Sequence, residues 1–209
     1  MAAADTANME IFTPSDTIFY VKDLISQDLC HRCIELFRHD PRKHSGHTTS
    51  PHGERQLEVE VKVSTDLGVE TEGTWAPVFA ELHSAVTTVI NGIAARFPAL
   101  QVTPLQCTGY KIQHYKKNQG HFKWHFDALG PGGWERQLAM IIYLNSVEEG
   151  GETCFYRQDL KVKPVAGNAL FFPPFWTHMH CGEIPRSGDK YIISSFVRFA
   201  IPGSDSTST

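Results

Sequence analysis

The sequence predicts an α+β protein in which two or three helices of the N-terminal half buttress a C-terminal double-stranded β-roll. Three observations carry this reading. Two stretches of the first hundred residues place apolar side chains at helical spacing. After residue 100 the chain breaks into short β-branched and aromatic segments separated by Gly, Pro and Asn, the pattern of an antiparallel sandwich or barrel. Finally, 209 residues with 41% hydrophobic content, 13 Phe and 4 Trp suffice for one real core.

Taken in order, residues 1–10 and 203–209 are small and polar and are expected to be mobile. Residues 11–202 are expected to form a single domain, with 11–100 as support and 101–202 as the β-roll. Asp16 to Leu24 reads as a strand. Ser26 is placed to cap a helix whose apolar positions Leu29, Cys33, Ile34 and Phe37 share one face. Residues 40–56, with three His, two Pro and two Gly, read as a polar loop, and 56–67 alternates like a strand. Trp75-Ala76-Pro77 opens a second helix that runs to about Arg96, before Phe97-Pro98 ends it. Six segments then read as strands: LQCTGYKIQHY, RQLAMIIYLN, ETCFYR, LKVKP, NALFFP and KYIISSFVRF.

Charge and cysteine usage narrow the function. Nineteen Lys+Arg against 23 Asp+Glu leave a formal charge of −4, and no basic block compensates, which argues against a nucleic-acid partner. No apolar run approaches the roughly 18–20 residues of a membrane span, and the N-terminus lacks the pattern of a secretion signal. Five scattered cysteines are odd in number and suggest no disulfide framework, so a cytoplasmic location is expected. Cys30 and Cys33 form a CxxC, but inside a helix and without a second pair, so core packing is the plainer reading. The eleven histidines are the unusual count and direct attention to metal.

The central cluster is His121-Phe-Lys-Trp-His125-Phe-Asp127. If this is a strand, residues two apart share a side, and His125 and Asp127 present an imidazole and a carboxylate to one point. His178 and His180 lie about 50 residues on. Two imidazoles and one carboxylate make the facial triad of non-haem Fe(II) oxygenases. An HxD tripeptide alone is also compatible with a packed core histidine. His121 competes with His125, though only His125 has an acid two residues on.

The surrounding residues carry a resemblance. Tyr115-Lys-Lys-Asn-Gln-Gly120-His-Phe-Lys-Trp-His125-Phe-Asp127 resembles the Y-x-x-G-x-(F/Y)-x-x-H-x-D segment of prolyl 4-hydroxylase-like Fe(II)/2-oxoglutarate-dependent dioxygenases. Arg136 to Asn145 resembles the next strand, and Glu149-Gly-Gly-Glu-Thr153 with Phe155 the G-G-E-T-x-F signature. Lys163-Pro-x-x-Gly167, Leu170-Phe-Phe-Pro173 and Trp176-Thr-His resemble the approach to the distal histidine. His180 to Lys190 reproduces the H-x9-K spacing. The likeness covers residues 105–199, nearly half of the chain.

The resemblance implies a double-stranded β-helix (jelly-roll) core with flanking N-terminal helices. It implies that His125, Asp127 and His180 ligate Fe(II), and that Lys190 pairs with the remote carboxylate of 2-oxoglutarate. Tyr115 and Tyr143 match positions whose hydroxyls reach that cosubstrate. A dianion in an apolar barrel needs such a cation and donors to recover its desolvation cost. His178 is the rival distal ligand, and the spacing to Lys190 favours His180. The implied reaction is hydroxylation of a C–H bond of a prolyl residue or other amino-acid-type substrate, consuming O2 and releasing succinate and CO2, with ascorbate a candidate reductant. Asp127 occupies the position left to halide in related halogenases, which favours hydroxylation.

Substrate contacts are sought among Lys111 and Gln113, which share a face with Tyr115 if that strand is regular, and among Trp134 and His178. The alternatives are a water-facing Lys111 at the barrel mouth and an ordinary loop-edge Trp134. A peptide or protein substrate competes with a free amino acid or natural-product intermediate. A nucleic-acid demethylase using Arg198, and a non-catalytic metal and 2-oxoglutarate sensor, are the rivals of other kinds. No motif speaks to oligomeric state.

Overall fold

A computed structural model describes residues 11–15 and 17–200. The expected mobile ends, 1–10 and 203–209, lie outside the described residues, as does Asp16 at the start of the first expected strand. The chain opens with the antiparallel hairpin β1 (Ile11–Ser15) and β2 (Ile18–Val21). Helix α1 (Gln27–His39) follows, with the Ser26 side chain accepting from the Leu29 amide at 3.1 Å. Its buried face is Leu29, Cys30, Cys33, Ile34 and Phe37, so the CxxC packs in the core.

Residues 40–69 hold more structure than a loop and one strand. Short ladders β3 (His44–Ser45), β4 (Thr48–Thr49), β5 (Arg55–Gln56) and β6 (Lys62–Val63) precede β7 (Thr65–Val69). The strand expected over 56–67 is broken by a turn in which the Lys62 amide bonds the Glu58 carbonyl at 2.8 Å. The alternation misled because Leu57 and Val59 bury nothing and are more than half exposed. Helix α2 (Ala76–Ala94) then starts with Pro in its first turn, as expected.

The strands of the second half are β8 (Leu105–Cys107), β9 (Tyr110–Tyr115), β10 (His121–His125), β11 (Arg136–Tyr143), β12 (Thr153–Phe155), β13 (Leu160–Val162), β14 (Ala169–Phe172), β15 (His180–Gly182) and β16 (Lys190–Phe199). They form two antiparallel sheets. The larger runs β1-β2-β14-β11-β16-β9-β7-β3, with β8 also on β16; the smaller runs β13-β12-β15-β10-β6. The N-terminal half therefore supplies strands to both sheets as well as the helices. No helix among the described residues is long and apolar enough to cross a membrane.

Strand alternation divides the large sheet into two faces. Leu138, Met140 and Ile142 of β11, Ile112 of β9 and Ile193 of β16 pack with Leu29, Phe37, Leu82, Val86 and Ile90 of the helices. The residues between them, Ala139, Tyr143, Tyr115 and Ile192, join Phe155, Leu170 and Phe172 on the inner face. The helices cover the large sheet from outside, and the small sheet closes over its inner face.

Candidate metal and cosubstrate site

The site forms where β10 and β15 pair, with His125 opposite His180. Phe122 and His125 are three residues apart and would face opposite ways in a regular strand. A register shift between them turns both into the same cavity, their rings stacked at 3.5 Å. Asp127 lies beyond the end of β10, so its approach to His125 comes from a bend and not from the strand alternation expected. The bend is held by the Asp127 and Ala128 amides, which both donate to the Pro174 carbonyl at 2.9 Å, and by Arg136 donating to the Asp127 carbonyl at 2.7 Å.

The three side chains converge. His125 Nε2 lies 3.6 Å from Asp127 Oδ1, and His180 Nε2 lies 3.4 Å from Asp127 Oδ2. One ligand atom of each lies within 4.8 Å of the others. Each imidazole is aimed by its other nitrogen: His125 Nδ1 donates to the Lys123 carbonyl at 2.7 Å, and His180 Nδ1 to the His178 carbonyl at 3.0 Å. That leaves both Nε2 lone pairs facing Asp127, the orientation metal-binding histidines require. Burial, and after it the neighbouring His180, lowers His125 to about 3 against the pull of Asp127, which keeps the ring neutral and able to ligate. Two imidazoles and one carboxylate suit Fe(II) with open positions.

His178, the rival ligand, stands in a turn of 3-10 helix (Trp176–His178), not on a strand beside His180. Its ring bonds Thr177 Oγ1 at 2.9 Å and Thr17 Oγ1 at 3.0 Å, and its contribution to the site is its carbonyl. His178→Ala is expected to keep iron binding and most turnover; loss equal to that of His180→Ala, measured as bound iron, would contradict this. His121 is likewise outside the triad.

A cavity of about 310 Å³ opens beside the triad. Lys190 lines it and is only 3% exposed. Its ammonium donates to the Gly151 carbonyl at 2.6 Å and lies 5.6 and 5.8 Å from the Tyr115 and Tyr143 ring centres. No carboxylate pairs with it among the described residues, and burial lowers it to about 8. Glu152 favours its charged form only from a distance, and a buried cation with no carboxylate in contact is a ready site for an anion. The Gly-Gly turn makes this possible: Gly150 has φ +72°, and a Cβ there would meet the Ile184 carbonyl at 2.2 Å.

The two tyrosines differ. Tyr115 lines the cavity, its hydroxyl 3.3 Å from Gln113 Oε1. Tyr143 does not line it: the hydroxyl sits behind Thr153, donating to Thr153 Oγ1 at 2.8 Å, and Thr153 is the group that meets the cavity. Trp134 is two-thirds exposed and also away from the lining.

Lys111, Gln113 and Tyr115 share the inward face of β9 and line the cavity. The polar ends of the first two are committed to Asp66, a residue the sequence did not single out. Asp66 Oδ2 is 3.0 Å from the ammoniums of both Lys62 and Lys111 and 3.2 Å from Gln113 Nε2, while Ser64 donates to Oδ1 at 2.7 Å. Burial would raise the Asp66 carboxyl, but Lys111, Lys62 and Ser64 outweigh it and bring it to about 2. Because the folded value is depressed, this cluster stabilises the fold above the ordinary carboxyl value near ~3.9, and that stability is lost as pH falls toward the folded value. Asp66→Asn strands Lys62, which is 2% exposed, and is expected to cost about 3–5 kcal/mol in urea denaturation. A loss under about 1 kcal/mol would show that Lys62 finds water instead.

The segment that carries these residues is similar to known proteins. Residues 110–198 match the 2OG-Fe(II) oxygenase superfamily. Human prolyl 4-hydroxylase subunit alpha-3 is 32% identical over 145 residues, which cover 66% of this chain and 23% of that protein. Prolyl 4-hydroxylase 13 of Arabidopsis thaliana is 29% identical over 130 residues, 51% of this chain and 46% of that one. The chain thus spans less than half the length of these relatives. Among solved structures, a Trichoplax adhaerens prolyl hydroxylase in complex with a hypoxia inducible factor oxygen degradation domain peptide fragment superposes with a TM-score of 0.71 at 14% identity, covering 88% of this chain and 84% of that one. The viral collagen prolyl hydroxylase of Paramecium Bursaria Chlorella virus-1, in its 2OG complex, gives 0.62 at 18% identity, covering 88% and 97%. The likeness of these two structures extends to the double-stranded β-helix. Over residues 110–198, the segment that holds His125, Asp127, His180 and Lys190, the chain thus resembles the 2OG-Fe(II) oxygenase superfamily, and its listed relatives are prolyl 4-hydroxylases.

Proposed function

We propose that this chain hydroxylates a prolyl residue of a peptide or protein, consuming 2-oxoglutarate and O2 and releasing succinate and CO2. The observation that carries the reading is the buried Lys190, with no carboxylate in contact among the described residues, in the same cavity as the His125–Asp127–His180 cluster. In this reading the three clustered residues hold Fe(II), which supplies the oxidising chemistry when bound. Lys190 pairs with the remote carboxylate of 2-oxoglutarate. Tyr115 and Thr153 are the polar groups beside it, and Tyr143 acts at one remove by fixing Thr153. Phe122, Phe172 and Ile192 line the cavity with apolar surface that excludes water from the reacting centre.

The relatives support a peptide over a free amino acid: a structural neighbour is a prolyl hydroxylase in complex with a peptide fragment. Incubation with Fe(II), 2-oxoglutarate and proline-containing peptides, beside free proline, tests this. The expected product is a peptide heavier by one oxygen atom on proline, with matching succinate. Oxidation of free proline alone would assign the chemistry to a small-molecule substrate. Succinate formed with no oxidised product from any of these would reject proline as the target.

A further inference from the structure

A second group of metal-ligating side chains lies on the small sheet, one residue along from the cavity. Cys154 of β12 stands directly opposite Cys181 of β15, just as their neighbours Phe155 and His180 stand opposite each other on the inner side. Alternation turns the two thiols to the outer face. Both cysteines are buried, at 3% and 5% exposure. Glu183 continues the ladder, its amide donating to the Glu152 carbonyl, and its carboxylate lies 3.9 Å from the Cys181 sulfur. The two sulfurs and the carboxylate oxygen all lie within 4.8 Å of one another.

A histidine stands farther along the same outer face, outside the group of three. His121, Trp124, Cys181 and Glu183 line an outer groove of about 240 Å³. His121 Nδ1 bonds the Gln119 carbonyl at 3.0 Å, while its Nε2 is buried with no hydrogen-bond partner among the described residues. This repeats the arrangement of His125 and His180, one nitrogen tied to a carbonyl and the other left as a donor. A buried imidazole nitrogen without a partner calls for a physical reason.

We propose that Cys154, Cys181 and Glu183 form a structural site for a thiophilic divalent cation such as Zn(II), which His121 completes by turning in from the adjoining groove when the ion binds. Two thiolates, an imidazole and a carboxylate are a tetrahedral donor set for zinc, and four protein donors close the site to substrate. The cation ties β12 to β15 from outside, at the positions adjoining Thr153 and His180 on the cavity side. A simple disulfide between the two cysteines would leave Glu183 and the His121 nitrogen without a role.

The test uses full-length protein carrying His125→Ala and Asp127→Ala, so that the inner site takes up no metal and the result is independent of the oxygenase reading. Titration with Co(II) is expected to give a sulfur-to-cobalt charge-transfer band that saturates at one equivalent and is displaced by Zn(II). Cys154→Ser and Cys181→Ser are expected to abolish the band. Glu183→Gln, at an exposed position, and His121→Gln are expected to weaken the affinity at least about tenfold. No band in reduced, folded parent protein, or a band of unchanged affinity in the Glu183 and His121 variants, would overturn the four-donor site.

Discussion

Asp127→Ala is expected to reduce 2-oxoglutarate turnover below about a hundredth of the parent and to release the iron, because the variant removes the sole anionic donor of the cluster. His125 and His180 would remain, each still aimed by its carbonyl, but two neutral imidazoles offset none of the metal's charge. The fold should survive, since Asp127 is tied down through its main chain, by the Pro174 carbonyl and Arg136. Iron content by mass spectrometry and succinate by chromatography check this together. Folded Asp127→Ala protein that keeps stoichiometric iron and turns over at the parent rate would place the metal elsewhere.

Lys190→Met keeps the volume of a side chain that is 3% exposed and removes its charge. Leaving a buried carboxylate unpaired costs roughly 2–5 kcal/mol. At about 1.4 kcal/mol per tenfold, the KM for 2-oxoglutarate should rise roughly thirtyfold to a few thousandfold. Iron binding should be unchanged, because Lys190 is not part of the metal cluster. The split between cosubstrate KM and iron affinity distinguishes a cosubstrate cation from a general loss of structure. An unchanged KM would move the carboxylate to another cation on the cavity, Arg136 or Lys62.

The legible parts of this site are those set by local pattern. The helix cap at Ser26, the strand β16 and the His180-to-Lys190 spacing follow from neighbouring residues, and each stands where the sequence places it. What depends on depth or on contacts across sheets was hidden. Tyr143 is inward-facing, as alternation allows, yet Thr153 intervenes between it and the cavity, and no residue in its own strand signals that. The strands β10 and β15, HFKWH and HCG, carry too little apolar alternation to announce themselves. The Lys62–Asp66 pair was invisible because 56–67 reads as one strand. The turn after Glu58 sends Lys62 to the small sheet and Asp66 to the large one, and only the closing of the two sheets brings them together.

If the triad and Lys190 serve one reaction, O2 is divided between 2-oxoglutarate and a prolyl residue. The direct measurement is turnover of a proline-containing peptide under isotopically heavy O2 in ordinary water, with mass spectrometry of both products. One heavy oxygen atom is expected in succinate and one in hydroxyproline, in equal amounts. Unlabelled hydroxyproline, or succinate labelled without any peptide product from iron-loaded protein, would contradict it.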